Sequence, residues 1–336
     1  MSGALRQILS ELLADCPWEW GLAALSDADA EVRRQKLSEW TGAGHHGTLH
    51  WLAQSQAVRA DPRKEWPWAK SALVVRRPHP LEPAAVDRGE RPLIACYARG
   101  IDYHRVLEEF LRALATRLKE RIPALRTLSC VDVMPLPEVD LAVKAGLGWR
   151  GKHTLLLSRH AGSAANLGVL LLSEEIEQTP PMQDFCGTCT ACLDACPTQA
   201  LVAPGRLDAR LCLSHWNIED RESSEGPAAR AVQGEVLGCD LCQQACPWNR
   251  RHLTEVPSPA GWPSRWEDWV RILKPAGGSG PLTKRTPLER VGRAKLRQVL
   301  LRALENIDPA KAETLRREAL EDETHPRLRE WLEQHP

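Results

Sequence analysis

Two short runs of cysteine indicate the chemistry of which this chain is capable. The segment CGTCTACLDACPT, residues 186–198, has the spacing C-x2-C-x2-C-x3-C-P, and CDLCQQACPWN, residues 239–249, repeats only the second half of that pattern. A C-x2-C-x2-C turn supplies three thiolates to one 4Fe–4S cube, whereas the fourth cysteine of such a run binds the neighbouring cluster. Iron–sulfur chemistry therefore predicts that the two runs exchange ligands.

This exchange divides eight cysteines into two quartets. The first quartet combines the opening three cysteines of the first run with the last cysteine of the second run: Cys186, Cys189, Cys192 and Cys246. The second quartet combines the remaining cysteines of both runs with the cysteine of RLCLSHW: Cys196, Cys212, Cys239 and Cys242. Paired C-x2-C motifs also suit zinc, and disulfides are a further alternative. The repeated C-x3-C-P ending favours two 4Fe–4S clusters.

Composition limits the class of protein. The 336 residues carry 44 basic and 44 acidic side chains, so no net charge attracts nucleic acid or membranes to the whole molecule. The N-terminus has the pattern of an amphipathic helix rather than a signal peptide, and the longest uncharged apolar stretch is too short to span a bilayer. We therefore expect a soluble, cytoplasmic protein whose cysteines bind metal. The other three cysteines are expected to be small buried hydrophobic residues: Cys16, Cys96 and Cys130.

Hydrophobic periodicity predicts the elements that position these ligands. Four apolar runs have the pattern of buried strands, the last two joined by a turn near Gly162: residues 72–75, 127–133, 152–158 and 167–173. Residues 103–121 have the pattern of an amphipathic helix with four apolar residues on one face: Val106, Phe110, Leu114 and Leu118.

We predict an α+β protein. Its parts are an N-terminal α/β domain over residues 1–180, a bacterial-ferredoxin-like domain with two clusters over 181–252, a linker over 253–280 and a helical, repeat-like module over 281–336. The linker prediction depends on the proline-rich segment TEVPSPAGWPSR.

The segment GLGWRGKH, residues 146–153, satisfies one nucleotide-binding pattern and nearly satisfies a second. It matches G-x-G-x-x-G, but His153 replaces the hydroxyl residue that ends a P-loop motif. Both motifs need a strand before and a helix after. Here a helical pattern precedes and an apolar strand pattern follows, so we predict a tight turn and no nucleotide site.

Six motifs follow one another in the order that is found in epoxyqueuosine reductases. They are YARGIDYH, VDVMPLPE, AGLGWRGKHTLLL, the first cysteine run, CLSHWNIE and GCDLCQQACPWN. The resemblance implies a cobalamin-binding domain joined to a two-cluster module, similar to reductive dehalogenases, and reduction of epoxyqueuosine to queuosine at the wobble position of tRNA. It also implies an external low-potential electron donor such as a ferredoxin or flavodoxin.

Loss of the epoxide oxygen consumes two electrons and two protons, so the protein must supply a proton donor. The resemblance assigns this role to Asp132, and we expect an apolar pocket to keep that carboxyl protonated. Glu138 is a second candidate. By motif position, the corrinoid is expected to lie near six residues: Arg59, Cys96, Asp132, Ser214, Cys239 and Asp240.

Three residues depart from the pattern of the family. Val139 stands where an arginine is usual, His153 stands where asparagine is common, and Trp216 replaces the usual residue before the segment NIE. These departures affect fine contacts, such as base recognition, rather than the cysteines or Asp132.

A basic run in the C-terminal module suggests the RNA-binding surface. Seven basic residues lie within nineteen positions with a single acid, Glu289: Lys284, Arg285, Arg290, Arg293, Lys295, Arg297 and Arg302. Phosphate neutralisation supplies much of the affinity for RNA, so we interpret this run as a contact with the anticodon stem-loop of tRNA. A solvated helix face is the alternative.

Two other functions fit part of the pattern. One is a corrinoid-dependent reductase of a small molecule, which the basic tail and the absence of a twin-arginine leader argue against. The other is a non-catalytic iron–sulfur electron carrier, which would not depend on Asp132. We expect the protein to act as a monomer.

Overall fold

The computed structural model describes residues 2–85, 89–222, 225–275 and 283–335 and mixes helices with sheets, as predicted. The helices are α1 Ser2–Leu12, α2 Asp27–Gly42, α3 His50–Gln54, α4 Gln56–Ala60, α5 Tyr103–Arg121, α6 Glu138–Lys144, α7 Ala191–Asp194, α8 Pro227–Ala231, α9 Leu241–Gln244, α10 Trp266–Ile272, α11 Leu288–Val291, α12 Arg293–Ile307, α13 Pro309–Asp322 and α14 Pro326–Gln334. The strands are β1 Glu19–Ala24, β2 Ser71–Pro78, β3 Leu93–Ile94, β4 Thr127–Cys130, β5 Trp149–Arg150, β6 Leu156–Leu157, β7 Ala165–Leu172, β8 Leu201–Ala203, β9 Arg206–Leu207 and β10 Glu235–Leu237.

The N-terminal part is built on a four-stranded sheet in the order β1-β2-β7-β4. In its centre Leu73 pairs with Leu22 on one side and Leu170 on the other, and all three are fully buried. Helices α1 and α5 cover one face, and α6 covers the other, so the central strands are apolar on both faces. All three strand pairs are antiparallel, so the predicted α/β label for this part is wrong, because α/β folds are built on parallel strands.

Helix α5 has the bounds that its periodicity predicts, although the buried stripe is shifted. Val106 and Phe110 are only partly buried, while Leu107 and Leu111 are fully buried. The helix packs against strands β4 and β7 through the row that contains Leu107 and Leu111, together with the predicted Leu114 and Leu118.

Two predicted strands are shorter in the structure than in the sequence pattern. Strand β4 ends at Cys130, so Asp132 lies in the following loop with a left-handed φ of 58°. In the run over 152–158 only Leu156 and Leu157 form a strand, because the preceding residues turn and bond to one another. The predicted turn near Gly162 is present, as a bridge between Gly162 and Ser158.

The segment GLGWRGKH forms the predicted helix-to-strand turn. Helix α6 precedes it and strand β5, which begins at Trp149, lies within it. Gly148 has φ of 156°, and a side-chain carbon there would lie only 1.9 Å from the carbonyl oxygen of Leu157. Glycine is therefore required for the turn to pack against β6.

The predicted linker is wrong for residues 266–272, which form helix α10. Trp266 and Trp269 of this helix are 3% and 2% exposed in a core shared with α12 and with residues of segment 213–237. The pattern of prolines before the helix concealed two tryptophans whose large apolar surface drives burial. Residues 276–280 of the predicted linker lie outside the described residues. In the described ranges, every helix falls short of the length and hydrophobicity that a membrane crossing demands.

The basic run of the C-terminal module does not form one exposed surface, contrary to the interpretation from sequence. Arg297 is 1% exposed and shares the fully buried carboxylate of Glu323 with Arg293. Arg302 forms ion pairs with glutamates, and Lys295 is buried with its ammonium 4.9 Å from the ring centre of Trp216. Helix α12 is the central helix of the module, so most of its sides face other elements. The exposed members of the run are Lys284, Arg285 and Arg290.

The Arg293–Glu323–Arg297 cluster yields a stability prediction. Burial would raise the pKa of Glu323, but hydrogen bonds from Arg293, the backbone N–H of His325 and Arg297 outweigh it and lower the pKa from 4.5 to about 2. Glu323→Ala should reduce the free energy of unfolding by about 3–5 kcal/mol, because two arginines would lose their buried partner. In the unmodified protein this contribution is complete above about pH 4.5 and is lost as the pH falls towards 2.

Urea denaturation at pH 7 measures the free energy of unfolding of Glu323→Ala. The control is Glu313→Ala, on the exposed face of α13. Equal stability of the two variants would contradict the assignment.

Candidate functional site

The eight predicted cluster ligands lie in two neighbouring groups. In the first quartet, burial raises the pKa of Cys192, and the thiols of Cys246 and Cys186 raise it further. Burial likewise raises the pKa of Cys246, with Cys186 and Cys189 adding to the effect. Cys246 and Cys186 also pack into one apolar cluster with Trp149 and Trp248, so the cysteine that is distant in sequence lies beside the first run.

The second quartet is connected in the same way. Burial raises the pKa of Cys239, and Cys242 and Cys212 raise it further. Burial also raises the pKa of Cys242, where Cys212, Cys196 and the first-quartet residue Cys192 add to it. Because Cys192 of the first quartet acts on Cys242 of the second, the two quartets are neighbours. Electron transfer between two clusters requires such proximity.

All eight cysteines are free thiols. Within the described ranges, no three His, Cys, Asp or Glu side chains converge closely enough to hold a single metal ion. The donor set fits two 4Fe–4S clusters, because buried thiols that repel one another as thiolates are stabilised by bound iron.

Aromatic side chains surround the first quartet. The indole N–H of Trp149 donates to the Cys186 thiol at 3.3 Å, and its ring centre lies 5.3 Å from Phe185 and 5.2 Å from Trp248. Lys152 donates to the carbonyl oxygens of Gly187 and Cys189 at 2.7 and 2.8 Å. The quartet is thus shielded on one side by apolar rings and tied to the N-terminal part of the chain.

A cavity of about 610 Å³ lies between the second quartet and the N-terminal sheet. Its wall contains all four cysteines of that quartet, one of which, Cys239, is also a predicted corrinoid neighbour. Two further predicted corrinoid neighbours, Ser214 and Asp240, lie on the same wall. Asp132 lies on the same wall with its side chain 61% exposed. The cavity therefore brings a predicted electron source and the predicted proton donor to one space.

Asp132 ends a chain of hydrogen bonds that starts in the protein interior. The buried carboxylate of Asp102 lies 2.6 Å from Nδ1 of His104, whose Nε2 lies 3.1 Å from Oδ2 of Asp132. Tyr103 donates its hydroxyl hydrogen to the same oxygen at 3.0 Å, and Arg290 pairs with Asp102 at 3.2 Å. This chain provides a path by which His104 can pass a proton to Asp132.

The expected protonation of Asp132 is not what the structure shows. The hydrogen bond from His104 lowers the pKa of Asp132, although burial opposes it, so the carboxylate is ionised at neutral pH. Glu138 behaves in the opposite way, because burial and the charge of Asp132 raise its pKa to about 8. Its Oε1 accepts the backbone N–H of Asp132 at 2.7 Å, which links the two candidates directly. The expectation failed for two reasons: the His104 imidazole stabilises the carboxylate, and the Asp132 side chain is exposed rather than enclosed in an apolar pocket.

Two predicted corrinoid neighbours are not on the wall of this cavity, Cys96 and Arg59. Cys96 is buried, and its backbone N–H donates to Asp240 Oδ2 at 2.7 Å. Arg59 lies in an adjoining cavity of about 680 Å³, together with Glu138, and its guanidinium is 4.8 Å from the ring centre of Trp51. Trp40 and Val139 line both cavities.

Sequence reasoning missed the residues that fix these loops. Asn217 binds both polar atoms of the Gly238 backbone, and so holds the turn that leads to Cys239. Asn249 accepts from the Ser163 N–H at 2.7 Å and so joins the second cysteine run to the N-terminal part. His104 follows the helix N-cap Asp102 by two residues, a local signal that could have identified the pair.

The cavity wall mixes apolar and polar side chains. Tyr97, Leu213 and Leu241 lie on it beside Ser163 and Gln243. A large ligand that combines an apolar ring system with hydrogen-bonding groups fits such a wall. Cobalamin, whose corrin ring carries many primary amides, meets that requirement.

Comparison with known proteins identifies relatives of both parts of the chain. A family model described as "Epoxyqueuosine reductase QueG, DUF1730" matches residues 59–133, and one described as "4Fe-4S double cluster binding domain" matches residues 185–249. The chain is 38% identical over 237 residues to the epoxyqueuosine reductase of Alicycliphilus denitrificans, covering 67% of this chain and 66% of that relative. It is 39% identical over 237 residues to that of a Synechococcus strain, covering 70% and 73%.

A solved structure extends the similarity to the whole fold. The crystal structure of an epoxyqueuosine reductase with a tRNA-TYR epoxyqueuosine-modified tRNA stem loop matches with a TM-score of 0.83 at 26% identity. The match covers 98% of this chain and 88% of that chain. By sequence, the chain spans 66% and 73% of the length of the two relatives above.

The quartets predict the iron content of variants. Cys212→Ser should remove about four of about eight iron atoms per chain, because the second cluster would lose a thiolate ligand. Iron analysis after anaerobic reconstitution measures the loss, and electron paramagnetic resonance of the reduced protein shows which cluster remains. Cys16→Ser, outside both quartets, should retain all the iron. Equal iron in both variants would contradict the assignment of Cys212.

Proposed function

Because the chain belongs to the epoxyqueuosine reductase family, we propose that it reduces epoxyqueuosine to queuosine in tRNA, using two 4Fe–4S clusters and cobalamin, with Asp132 as proton donor. The observation that carries the proposal is the cavity that joins all four cysteines of the second quartet to Asp132. The overall reaction consumes two electrons and two protons, and the epoxide oxygen leaves as water.

The residues around the cavity support cobalamin as the cofactor. Ser214, Cys239 and Asp240 would hold its corrin ring on the side of the second quartet, with Cys96 bonded to Asp240 and Arg59 in the adjoining cavity. When bound, cobalamin supplies low-potential chemistry at cobalt that protein side chains cannot provide. The clusters would carry single electrons to it from an external donor such as a ferredoxin or flavodoxin.

Proton delivery is the task of the side chains. Asp132 is ionised in the free protein, so it must acquire a proton before it can donate one. Its partner His104 lies at hydrogen-bond distance and is itself bonded to the interior carboxylate of Asp102. Cofactor and RNA would cover the exposed Asp132 side chain and exclude water, which favours its neutral form. Asp132 then protonates the departing oxygen, and His104 replaces the proton.

Three exposed cations support an RNA surface at the open side of the cavity. Arg290 lies on the cavity wall, and the carbonyl oxygen of Arg285 accepts the backbone N–H of Asp102 at 2.8 Å. The segment that carries Lys284 and Arg285 therefore lies beside the proton chain. We assign the contact with the anticodon stem-loop to this segment rather than to the whole basic run, and we retain the monomer as the active form.

The decisive experiment is an anaerobic assay of the reconstituted protein, with a chemical reductant and an RNA stem-loop that contains epoxyqueuosine. Mass spectrometry of the digested RNA should show queuosine. If cobalamin and both clusters are bound and no queuosine forms, the proposed function is wrong.

Asp132→Asn should lower turnover by about 10²- to 10⁴-fold, because the amide cannot donate an acidic proton. Glu138→Gln preserves an oxygen acceptor for the Asp132 N–H and should lower turnover by less than about 10-fold. Iron content should be unchanged in both variants. Full activity of Asp132→Asn would exclude Asp132 as the donor, and a larger loss in Glu138→Gln would transfer the role to Glu138.

Replacement of both Lys284 and Arg285 by glutamine should weaken binding of the stem-loop and reduce the salt dependence of log Kd by about 1 to 2, since about 0.7–0.9 counterions are released for each phosphate contact. Fluorescence anisotropy at several salt concentrations measures both quantities. Replacement of Lys119 and Arg317, two exposed cations elsewhere, removes the same charge and should leave the slope unchanged. An identical effect in the two double variants would show that only net charge matters.

A further inference from the structure

The two cysteine quartets differ in their access to solvent and to the main cavity. All four cysteines of the second quartet line the cavity, whereas none of the first quartet is among the described residues that line it. Cys189 of the first quartet is exposed, and the other seven ligand cysteines are buried or half-buried. Electrons on their way to the cavity therefore enter at the first quartet and leave through the second.

Phe185 is an exposed aromatic residue beside the first quartet. It is 36% exposed, although its ring centre lies 5.3 Å from that of Trp149 and 6.0 Å from that of Trp248. The Trp149 indole donates to the Cys186 thiol, and Trp248 packs in the same apolar cluster as Cys246. A molecule that touches the exposed side of Phe185 is therefore one aromatic side chain away from two ligands of the first cluster.

Three exposed arginines lie close to Phe185 and the first quartet: Arg159, Arg250 and Arg251. The Arg159 guanidinium lies 5.4 Å from the ring centre of Phe185, and its backbone carbonyl oxygen accepts a hydrogen bond from the side chain of Arg251. The backbone N–H of Arg250 donates at 3.3 Å to the carbonyl oxygen of Pro247, the residue after the ligand Cys246. We call Phe185 and these three arginines the entry surface.

The positive charge of the entry surface is not neutralised by the protein. Within the described ranges, none of its three arginines forms an ion pair. The neighbouring acid, Asp184, uses its carboxylate to accept the backbone N–H of Cys186 at 2.7 Å. Basic and acidic side chains are equal in number in the whole chain, so three arginines without an acidic partner are a local excess. They attract acidic molecules over about 10 Å at physiological salt.

An acidic electron-transfer protein fits this surface better than RNA does. RNA must bring its base to Asp132 in the main cavity, where Arg290 lies on the wall, and no residue of the entry surface is among the described residues that line that cavity. Electron-transfer proteins form small, short-lived interfaces. For such an encounter, exposed cations accelerate association with an acidic partner, and an aromatic centre permits close approach to the cluster.

We propose that the entry surface docks a small acidic electron-transfer protein, which reduces the first cluster. The inference rests on the proposed function and deepens it, because it names the class of the external donor and the place where that donor binds. In each encounter the donor loses one electron and the first cluster gains it, with no covalent bond formed or broken. Two encounters supply the two electrons of the reaction, and donor and RNA use separate surfaces.

The test follows reduction of the reconstituted clusters by stopped-flow absorbance, without RNA and without turnover. The donor is the hydroquinone of flavodoxin, a small acidic protein, and the reference reductant is the methyl viologen radical, a small cation that needs no docking surface. Arg159→Gln combined with Arg250→Gln removes two charges and keeps the bond from Arg251 to the backbone of residue 159. The control is Lys119→Gln combined with Arg317→Gln, two exposed cations elsewhere.

At low salt the second-order rate constant with flavodoxin should fall about 10-fold in the entry-surface variant and should depend less on salt than in the unmodified protein. The control should lose less than about 2-fold, because steering depends on charges near the docking site. Phe185→Ser should slow the reaction with flavodoxin at low and high salt alike, since it removes contact rather than charge. Methyl viologen should reduce all variants at least as fast as the unmodified protein.

Equal rate constants with flavodoxin in the unmodified protein and the entry-surface variant would overturn the inference. An equal loss with methyl viologen would also overturn it, because the arginines would then act on the cluster rather than on the donor. Weaker binding of the RNA stem-loop with an unchanged flavodoxin rate would assign the surface to RNA instead. Queuosine formation with a chemical reductant does not need this surface, so its absence would count against the proposed function alone.

Discussion

The gathering of buried thiols is the constraint on which the rest of the structure depends. Five of the eight ligand cysteines have a pKa raised by burial, with thiols of their own quartet adding to the shift: Cys192, Cys212, Cys239, Cys242 and Cys246. Thiolates crowded in this way are unfavourable without a cation, so iron binding and folding of residues 186–249 are thermodynamically coupled. The surrounding elements bury Cys192 and Cys246 and hold the two runs together, while Cys189 stays exposed.

The cysteine segment contributes to the cores on both of its sides. Its Asn249 bonds to Ser163 of the N-terminal part, while residues of segment 213–237 share a core with the C-terminal helices. The predicted boundaries at 180 and 252 therefore divide the sequence but not the packing. This arrangement explains why the main cavity forms at a junction, where the wall beside the clusters and the wall of the sheet come from different parts of the chain.

The chemistry of the cavity depends on neighbours more than on burial. Asp132 and Glu138 are six residues apart and share a hydrogen bond, but His104 stabilises the charge of the first, while burial favours the neutral form of the second. Their environments separate two like groups, so that one carboxyl is ionised and the other protonated at pH 7. Hydrogen bonds through His104 connect the ionised Asp132 carboxylate to the buried Asp102. A lone aspartate on an open loop would have no such path for a proton.

The sequence by itself determined the features that depend on local spacing. Periodicity predicts helix α5, the helix before the glycine turn and the central strands. The geometry of thiolate ligands predicts the division of the cysteines into quartets. Tertiary structure decided what depends on contacts distant in sequence: the antiparallel pairing of the sheet, the burial of α10, and the internal ion pairs of the basic run. It also decided the ionisation of Asp132, because electrostatics and hydrogen bonding act through space between residues that the sequence does not place together.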